Sequence, residues 1–294
     1  MRDGSPVPYI ATPENLAYTL NLLRTNDNEN YLANLLQPRT VSRVHAAIRA
    51  LNIELANIRF SVSNEDLGRL RLQFFRAQFA DILSDPNPTP GSPVLDVLAE
   101  SIHSFPQVNF RLLHTLIDAR ETDLGYPYHS TIRDLQTFGE RTQGTLIHLH
   151  ALCLGAEPNV VSIARLAGAA VGLSILLRGA PSHAASRLSY MPRKLVQKHA
   201  ITQSQLISGE GDAVPVYRAV ANRARRCLQV AQARSSLLRQ PVKKAFWPLI
   251  MADIYLRRLK KAGDNPFDEN LAKGLRTTYP LALQMRLLFS RLRS

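Results

Sequence analysis

The chain has 294 residues, 45% of them hydrophobic and 20% charged, a balance that supports a substantial buried core and excludes an intrinsically disordered chain. Its net charge of +13 is unevenly placed, with 20 Lys and Arg against 6 Asp and Glu in residues 193–294 and 16 against 17 in residues 1–192. The two cysteines, Cys153 and Cys227, each sit inside an apolar helical pattern, which argues against a disulfide framework or a zinc knuckle.

In chain order, almost every signal is helical. Thr12-Pro13-Glu14 is an N-cap followed by proline at the first helical position, and it opens a helix expected to run to about Leu36, where Pro38 ends it. Residues 1–13 read as an N-terminal extension and 14–294 as one helical domain. Thr40 is expected to cap a second helix. Val44, Ile48, Leu51, Leu55 and Ile58 recur on one of its sides and Ala46, Ala50, Ile53, Ala56 and Phe60 on the other, so this helix is expected at the centre. Ser63 with Asn64, Glu65 and Asp66 starts a third helix through Leu83, its acids in the first turn where the helix dipole favours them.

The stretch SDPNPTPGSP (84–93) is a loop by composition, and shorter helices follow over about 94–103 and 107–121. Ser130 is expected to cap a helix reaching Leu154 before Gly155. Next comes a small-residue-rich helix over about 159–178, apolar all round and therefore suited only to the middle of a helical domain. Its uncharged run between Arg165 and Arg178 is short against a bilayer's apolar slab of about 30 Å, so no transmembrane span is expected. A polar loop from Gly179 to Pro192 contains no acidic residue.

Pro192 restarts helix, and Thr202 to Gln205 has capping-box spacing. A long helix over about 214–238 places Tyr217, Val220, Ala224, Cys227, Ala231 and Leu238 on one stripe, with Arg218, Arg225 and Arg226 off it. Helices over about 242–262 and 280–293 finish the chain. With no alternating strand pattern and no repeat, the fold class is all-α.

Few residues have the spacing of a chemical site. His148 and His150 point about 200° apart on a helix, so they cannot share one metal and read as core or surface histidines. Asp118 and Glu121 are one turn apart and suit either a cation or a solvated helix end. No Gly-x-Ser-x-Gly elbow and no glycine-rich phosphate loop occurs.

Four segments carry more: AIRALNIELANIRFSV (47–62), LIDARETDL (116–124), FGERTQGTLIHLHALCLG (138–155) and LAGAAVGLSILLRGAPSHAASRLSYMP (166–192). In this order and separation they resemble the squalene/phytoene synthases, head-to-head prenyl transferases, over roughly residues 15–290. The resemblance implies a single-domain, isoprenoid-synthase-like helical bundle around a central cavity. In active members two aspartate-rich segments hold Mg²⁺ against the substrate diphosphate, because ionising an allylic C–O bond needs hard cations anchored by carboxylates.

Matched to that pattern, Ala56, Asn57 and Phe60 stand where the first segment has acids. The second segment keeps Arg178 but has Gly179 and His183 where the family has aspartates. The resemblance therefore implies no metal, no cofactor and no catalytic residue. Glu54, Asn57, Arg178 and His183 are the expected lining of a vestigial pocket; Glu54 and Asn57 either hydrogen-bond Arg178 across it or are ordinary polar lining. Asp123 and the turn Tyr190-Met191-Pro192 match family features that shape the fold.

LNIELANI (51–58) and LRGAPSH (177–183), with Glu54 and His183, are most similar to a branch of the family with the same losses, which assists assembly of mitochondrial respiratory complex I. That branch implies a non-enzymatic role at the matrix side of the inner membrane, with complex I subunits or assembly intermediates as partners. The alternative is a Mg²⁺-dependent prenyl transferase with atypical ligands. The basic C-terminal third, including Lys243-Lys244 and Arg257-Arg258-Leu259-Lys260-Lys261, suits an anionic membrane lipid or an acidic partner. Nucleic acid is not expected, for want of any zinc, RRM or helix-turn-helix pattern. MRDGSPVPYI carries no apolar signal core or Arg/Ser-rich presequence, so the expected location rests on the resemblance.

Overall fold

The structure, a computed structural model, describes residues 9–106, 108, 110–125, 129–209, 211–277 and 279–292. It forms two compact units, residues 1–121 and 122–294. The division falls after Glu121, and the 84–93 loop lies inside the first unit. Among the described residues every regular element is helical and no strand occurs, as the all-α reading requires.

In the first unit, α1 (Pro13–Asn26) starts at Thr12, whose side chain accepts from the Asn15 N–H. The helix does not continue to Leu36 as expected. Asp27 leaves helical geometry, ends α1 and caps α2 (Asn28–Asn34) by accepting from the Asn30 N–H. The cap gives the break its physical reason, since the Asp27 carboxylate also accepts from the Asn30 side chain; Arg49, a cation only 2% exposed, is within electrostatic reach. Of the N-terminal extension, residues 1–8 lie outside the described residues. Residues 9–12 are fastened to α5 (Pro93–Ser104): the Tyr9 hydroxyl and the Thr12 N–H donate to Asp96, and the Ala11 N–H donates to Glu100.

Pro38, not Thr40, occupies the N-cap of α3 (Arg39–Ser61); its backbone is already extended there and Thr40 falls in the first turn. Both apolar sides of α3 are buried as expected through Ile58, but Ala56 is only partly covered and Phe60 is 59% exposed. Asn64 caps α4 (Glu65–Ser84). Arg76 of α4 donates to both Asp118 and Glu121 of α6 (Phe110–Glu121), at 2.7 and 2.9 Å, so the cation those acids suit is a guanidinium of the same unit.

In the second unit, Thr131 and not Ser130 caps α7 (Ile132–Gly139), in a capping box with Asp134. The helix then widens into a π-helical turn, Glu140–Gly144, before α8 (Thr145–Cys153). All three pack on α9 (Val161–Arg178), which also meets α13 (Val214–Ser235) and α14 (Pro248–Lys261) and is the hub of this unit. With its preceding turn, α9 spans Pro158–Arg178 and is long and apolar enough to cross a membrane by length and composition; here 67% of its apolar window is buried against its neighbours.

Contact between α9 and the π turn is backbone on backbone. A β-carbon on Gly168 would stand 2.1 Å from the Gly144 nitrogen, and one on Gly172 would stand 2.5 Å from the Gly139 α-carbon. Gly168 and Gly172 are one turn apart on an ordinary helix. Gly139 and Gly144, five residues apart, would sit roughly 140° from each other on such a helix; the i→i+5 bonding of the π turn returns them to one face.

The loop expected between Gly179 and Pro192 is partly helical: α10 (Ala180–Ala185) has Pro181 in its first turn. After it come α11 (Arg193–Lys198) and α12 (Gln203–Ser208), the latter with the expected Thr202–Gln205 capping box. α13 stops at Ser235, short of Leu238. Residues 242–246 form a 3₁₀ turn because Pro248 starts a new helix at its first position and cannot sit in the middle of one. α15 (Glu269–Thr277), missed in the sequence because Gly274 reads as a breaker, precedes α16 (Tyr279–Leu292).

The glycine contact orders four substitutions. Gly168→Ala and Gly172→Ala drive a methyl into backbone and are expected to cost about 3 kcal/mol or more, whereas Gly139→Ala and Gly144→Ala, whose nearest neighbours would lie at 3.1 and 3.2 Å, cost less. Urea unfolding of the four variants checks the ranking.

Candidate functional site

The two segments that the resemblance matches to metal-binding motifs fall in different units. On α3, Asn52 accepts from Arg120 at 2.9 Å. One turn along, Asn57 is exposed, and the Arg59 guanidinium lies over the Phe60 ring at 5.3 Å from its centre. Glu54 is the only carboxylate of the segment. Its Oε2 is buried without a hydrogen-bond partner, and burial pushes its carboxyl up to about 7. A carboxyl that holds its proton to near neutrality is a poor ligand for a hard cation, which binds the deprotonated form.

The second segment is at the C-terminal end of α9. Arg178 closes the helix, Gly179 follows, and His183 stands one turn later on α10. The His183 ring packs against Tyr190 at 4.7 Å between centres. The ring also overhangs Gly179 so closely that a β-carbon there would stand 2.7 Å from Cε1. The two replacements are thus coupled, since the imidazole takes the space a side chain at 179 would need.

The Tyr190 hydroxyl donates at 2.7 Å to Asp123, which is 4% exposed. His129 stacks on the same Tyr190 ring and tilts against Phe138, and burial holds its pKa below the usual histidine value despite Asp123 and Asp134 nearby. The family acid that remains is therefore part of a packed hydrogen-bonded cluster and shapes the fold, as the sequence implies. Beside His183 the unit has a cavity of about 10 Å³, lined by Leu176, Ala180, Tyr190, Leu206 and Tyr217 among others, which is room for one water-sized sphere and not for a diphosphate. Arg178 lies within electrostatic reach of Tyr255, whose buried hydroxyl has no hydrogen-bond partner.

Neither segment offers the paired carboxylates that Mg²⁺ requires, and no group of three or more His, Cys, Asp or Glu side chains suited to a metal occurs among the described residues. The residues present do not fit the family's metal, so no metal-dependent step is derived. Arg178 ends α9 and His183 lies on α10, both in the second unit, whereas Glu54 and Asn57 are one turn apart on α3 in the first unit. His150 is buried and His148 partly so, with its pKa lowered by burial; both are core histidines. Both cysteines are free and buried, the Cys153 thiol being pushed up to about 12. The bridging role of Arg76 left no sequence signal, because its partners lie 42 and 45 residues away.

The helical order and the glycine-packed hub define an all-α isoprenoid-synthase fold. A dehydrosqualene synthase has a similar structure, with a TM-score of 0.79 at 16% identity covering 96% of this chain and 98% of that one. So does a squalene synthase from Alicyclobacillus acidocaldarius, with a TM-score of 0.74 at 13% identity over 86% and 96%. The chain belongs to the squalene/phytoene synthase family, whose model matches residues 23–282 across both units.

Within that family it is similar to curated proteins named NADH dehydrogenase (ubiquinone) complex I, assembly factor 6. The Rattus norvegicus protein is 31% identical over 93% of this chain and 82% of its own length. The Bos taurus protein is 32% identical over 92% and 80%, and the Homo sapiens protein 30% over the same shares.

Two substitutions test the site's physics. Tyr190→Phe removes a hydrogen bond to a buried carboxylate and is expected to lower stability by about 1–3 kcal/mol in urea unfolding. Glu54, with its folded pKa raised above the ordinary 4.5, contributes stability below that value and loses it as pH rises through about 7. Between pH 5 and pH 8 the native chain should lose on the order of 1–2 kcal/mol from this group, after discounting its partial exposure. Glu54→Gln should lose none of it, and an equal pH slope in both proteins would refute the assignment.

Proposed function

We propose that this chain is a non-catalytic assembly factor for mitochondrial respiratory complex I (NADH:ubiquinone oxidoreductase), a pseudoenzyme on a squalene/phytoene synthase scaffold. It acts by binding a complex I subunit or assembly intermediate, or a lipid, as a peripheral protein on the matrix side of the inner membrane. The observation that carries the reading is the Gly179–His183 pair: where the family places two acids, an imidazole packed on Tyr190 fills the space over a bare α-carbon. The similarity to proteins named as complex I assembly factors supports the same reading from the whole length of the chain.

In this reading Glu54, Asn57, Arg178 and His183 are vestigial pocket residues with no catalytic part, and no metal or cofactor is needed. The basic C-terminal third supplies the cations for an anionic lipid or an acidic protein surface. Nucleic acid is not among the expected partners.

The competing reading, a Mg²⁺-dependent prenyl transferase with atypical ligands, is favoured by the likeness to dehydrosqualene synthase and by no side chain. With farnesyl or geranylgeranyl diphosphate and Mg²⁺, the purified chain is expected to release no diphosphate under conditions where a squalene synthase turns over. Cells lacking the protein are expected to lose assembled complex I on native gels while their isoprenoid products stay unchanged. Turnover in the first experiment, or normal complex I in the second, would overturn the proposal.

A further inference from the structure

Helix α16 is apolar on two opposite sides. Leu283 and Leu287, each 1% exposed, are on the side buried in the second unit. Leu281, Met285, Leu288 and Phe289 are 63%, 46%, 48% and 54% exposed. At about 100° per residue these four fall within an arc of roughly 100°, turned away from the two buried leucines. One such face accounts for how α16 packs; the second is an apolar stripe left in water, the kind of surface that marks an interaction site.

The stripe is bordered by cations. Between α14 and α16 runs an open groove of about 580 Å³ with Ile254 and Ala282 in it, rimmed by Arg257, Arg258, Lys260, Lys261 and Arg286. Asp253 is shared by Arg257 and Arg286, at 2.8 and 2.6 Å, and is the one carboxylate paired with the five cations among the described residues. Arg258 donates to the Gly274 carbonyl, and Lys260 and Lys261 have no ion-pair partner among the described residues. Ala282 and Arg286 lie at the edge of the exposed stripe, so apolar face and cations are continuous.

We propose that this face of α14 and α16 is a docking surface for an anionic lipid bilayer. Leu281, Met285, Leu288 and Phe289 enter the boundary between headgroups and acyl chains, while Lys260, Lys261 and the rim arginines meet the lipid phosphates. Neither signal alone holds a protein firmly on a membrane; an apolar helix face with a polybasic border supplies both. A polyanion such as nucleic acid would use the cations and leave the stripe wet. A peptide seated in the groove would leave most of the exposed arc uncovered, whereas a flat lipid surface covers both at once. The inference sharpens the lipid part of the proposed function and rests on it only for which membrane is met.

Flotation of the full chain with phosphatidylcholine vesicles, with and without cardiolipin at about one lipid in five, tests it. Binding is expected only with cardiolipin and is expected to weaken as salt rises. Lys260→Glu with Lys261→Glu should lower the vesicle partition coefficient about tenfold or more, and Leu288→Ser with Phe289→Ser about tenfold. Trp247, the chain's one tryptophan, donates to Ser290 of α16 at 2.9 Å, so its fluorescence reports whether the helix stays seated in each variant.

No recruitment to cardiolipin vesicles overturns the proposal. So does a folded Leu288→Ser, Phe289→Ser variant that binds as well as the native chain, since the cations would then be reading a soluble polyanion or an acidic protein. Complex I assembly is read separately in cells, so failure on vesicles removes the docking surface and leaves the assembly role standing.

Discussion

The second unit depends on an approach of two backbones that no side chain could replace. α9 lies so near the turn between α7 and α8 that only glycine fits at Gly168 and Gly172, and a π-helical widening is needed to bring Gly139 and Gly144 opposite them. Four glycines within helices forfeit local helix propensity of roughly 1 kcal/mol each. What offsets this is dense packing of the hub against α13 and α14, where Ala164, Ala167, Leu173 and Leu177 are fully buried. Position follows from that contact: the end of α9 is fixed, and with it Arg178, Gly179 and the short helix that carries His183.

The site inherits a rigid frame and a changed set of groups. A synthase of this fold class uses such a frame to hold carboxylates where hard cations can bridge to a diphosphate. In the second unit the groups around Tyr190 satisfy one another. Asp123 accepts from Tyr190, Tyr190 packs against both His183 and His129, and the cavity beside His183 is water-sized. In the first unit Glu54 is buried without a hydrogen-bond partner for Oε2, so the fold favours its neutral form. Binding surfaces then become the parts of the molecule with unmet physical demands, and the cations and apolar stripe at its basic end are the clearest of these.

Much of this was legible from residue patterns, and the rest was hidden for identifiable reasons. The central apolar helices, the capping box at Thr202 and the loop at 84–93 announce themselves by local spacing, and the ordered segments point to the family before any coordinates are needed. The break at Asp27 is hidden because α1 and α2 keep one continuous helical pattern, and an aspartate reads as a cap only where the helix is already known to stop. The π turn was missed because its cause lies on another helix. α10 reads as loop since glycine and proline open it, although proline is well suited to a first helical turn. Among the candidate residues, the want of acids from Gly179 to Pro192 is read directly, whereas the packing that couples Gly179 to His183 needs the third dimension.

The packing of His183 ties positions 179 and 183 to each other. Returning an aspartate to position 179 alone would press its first carbon into the imidazole of His183, and the ring could yield only by leaving its place on Tyr190. Returning one to position 183 alone would empty that place and set an anion near the buried Asp123. Either single change disturbs a packed contact, so the place of one histidine works as an interlock under which neither position can take an acid alone.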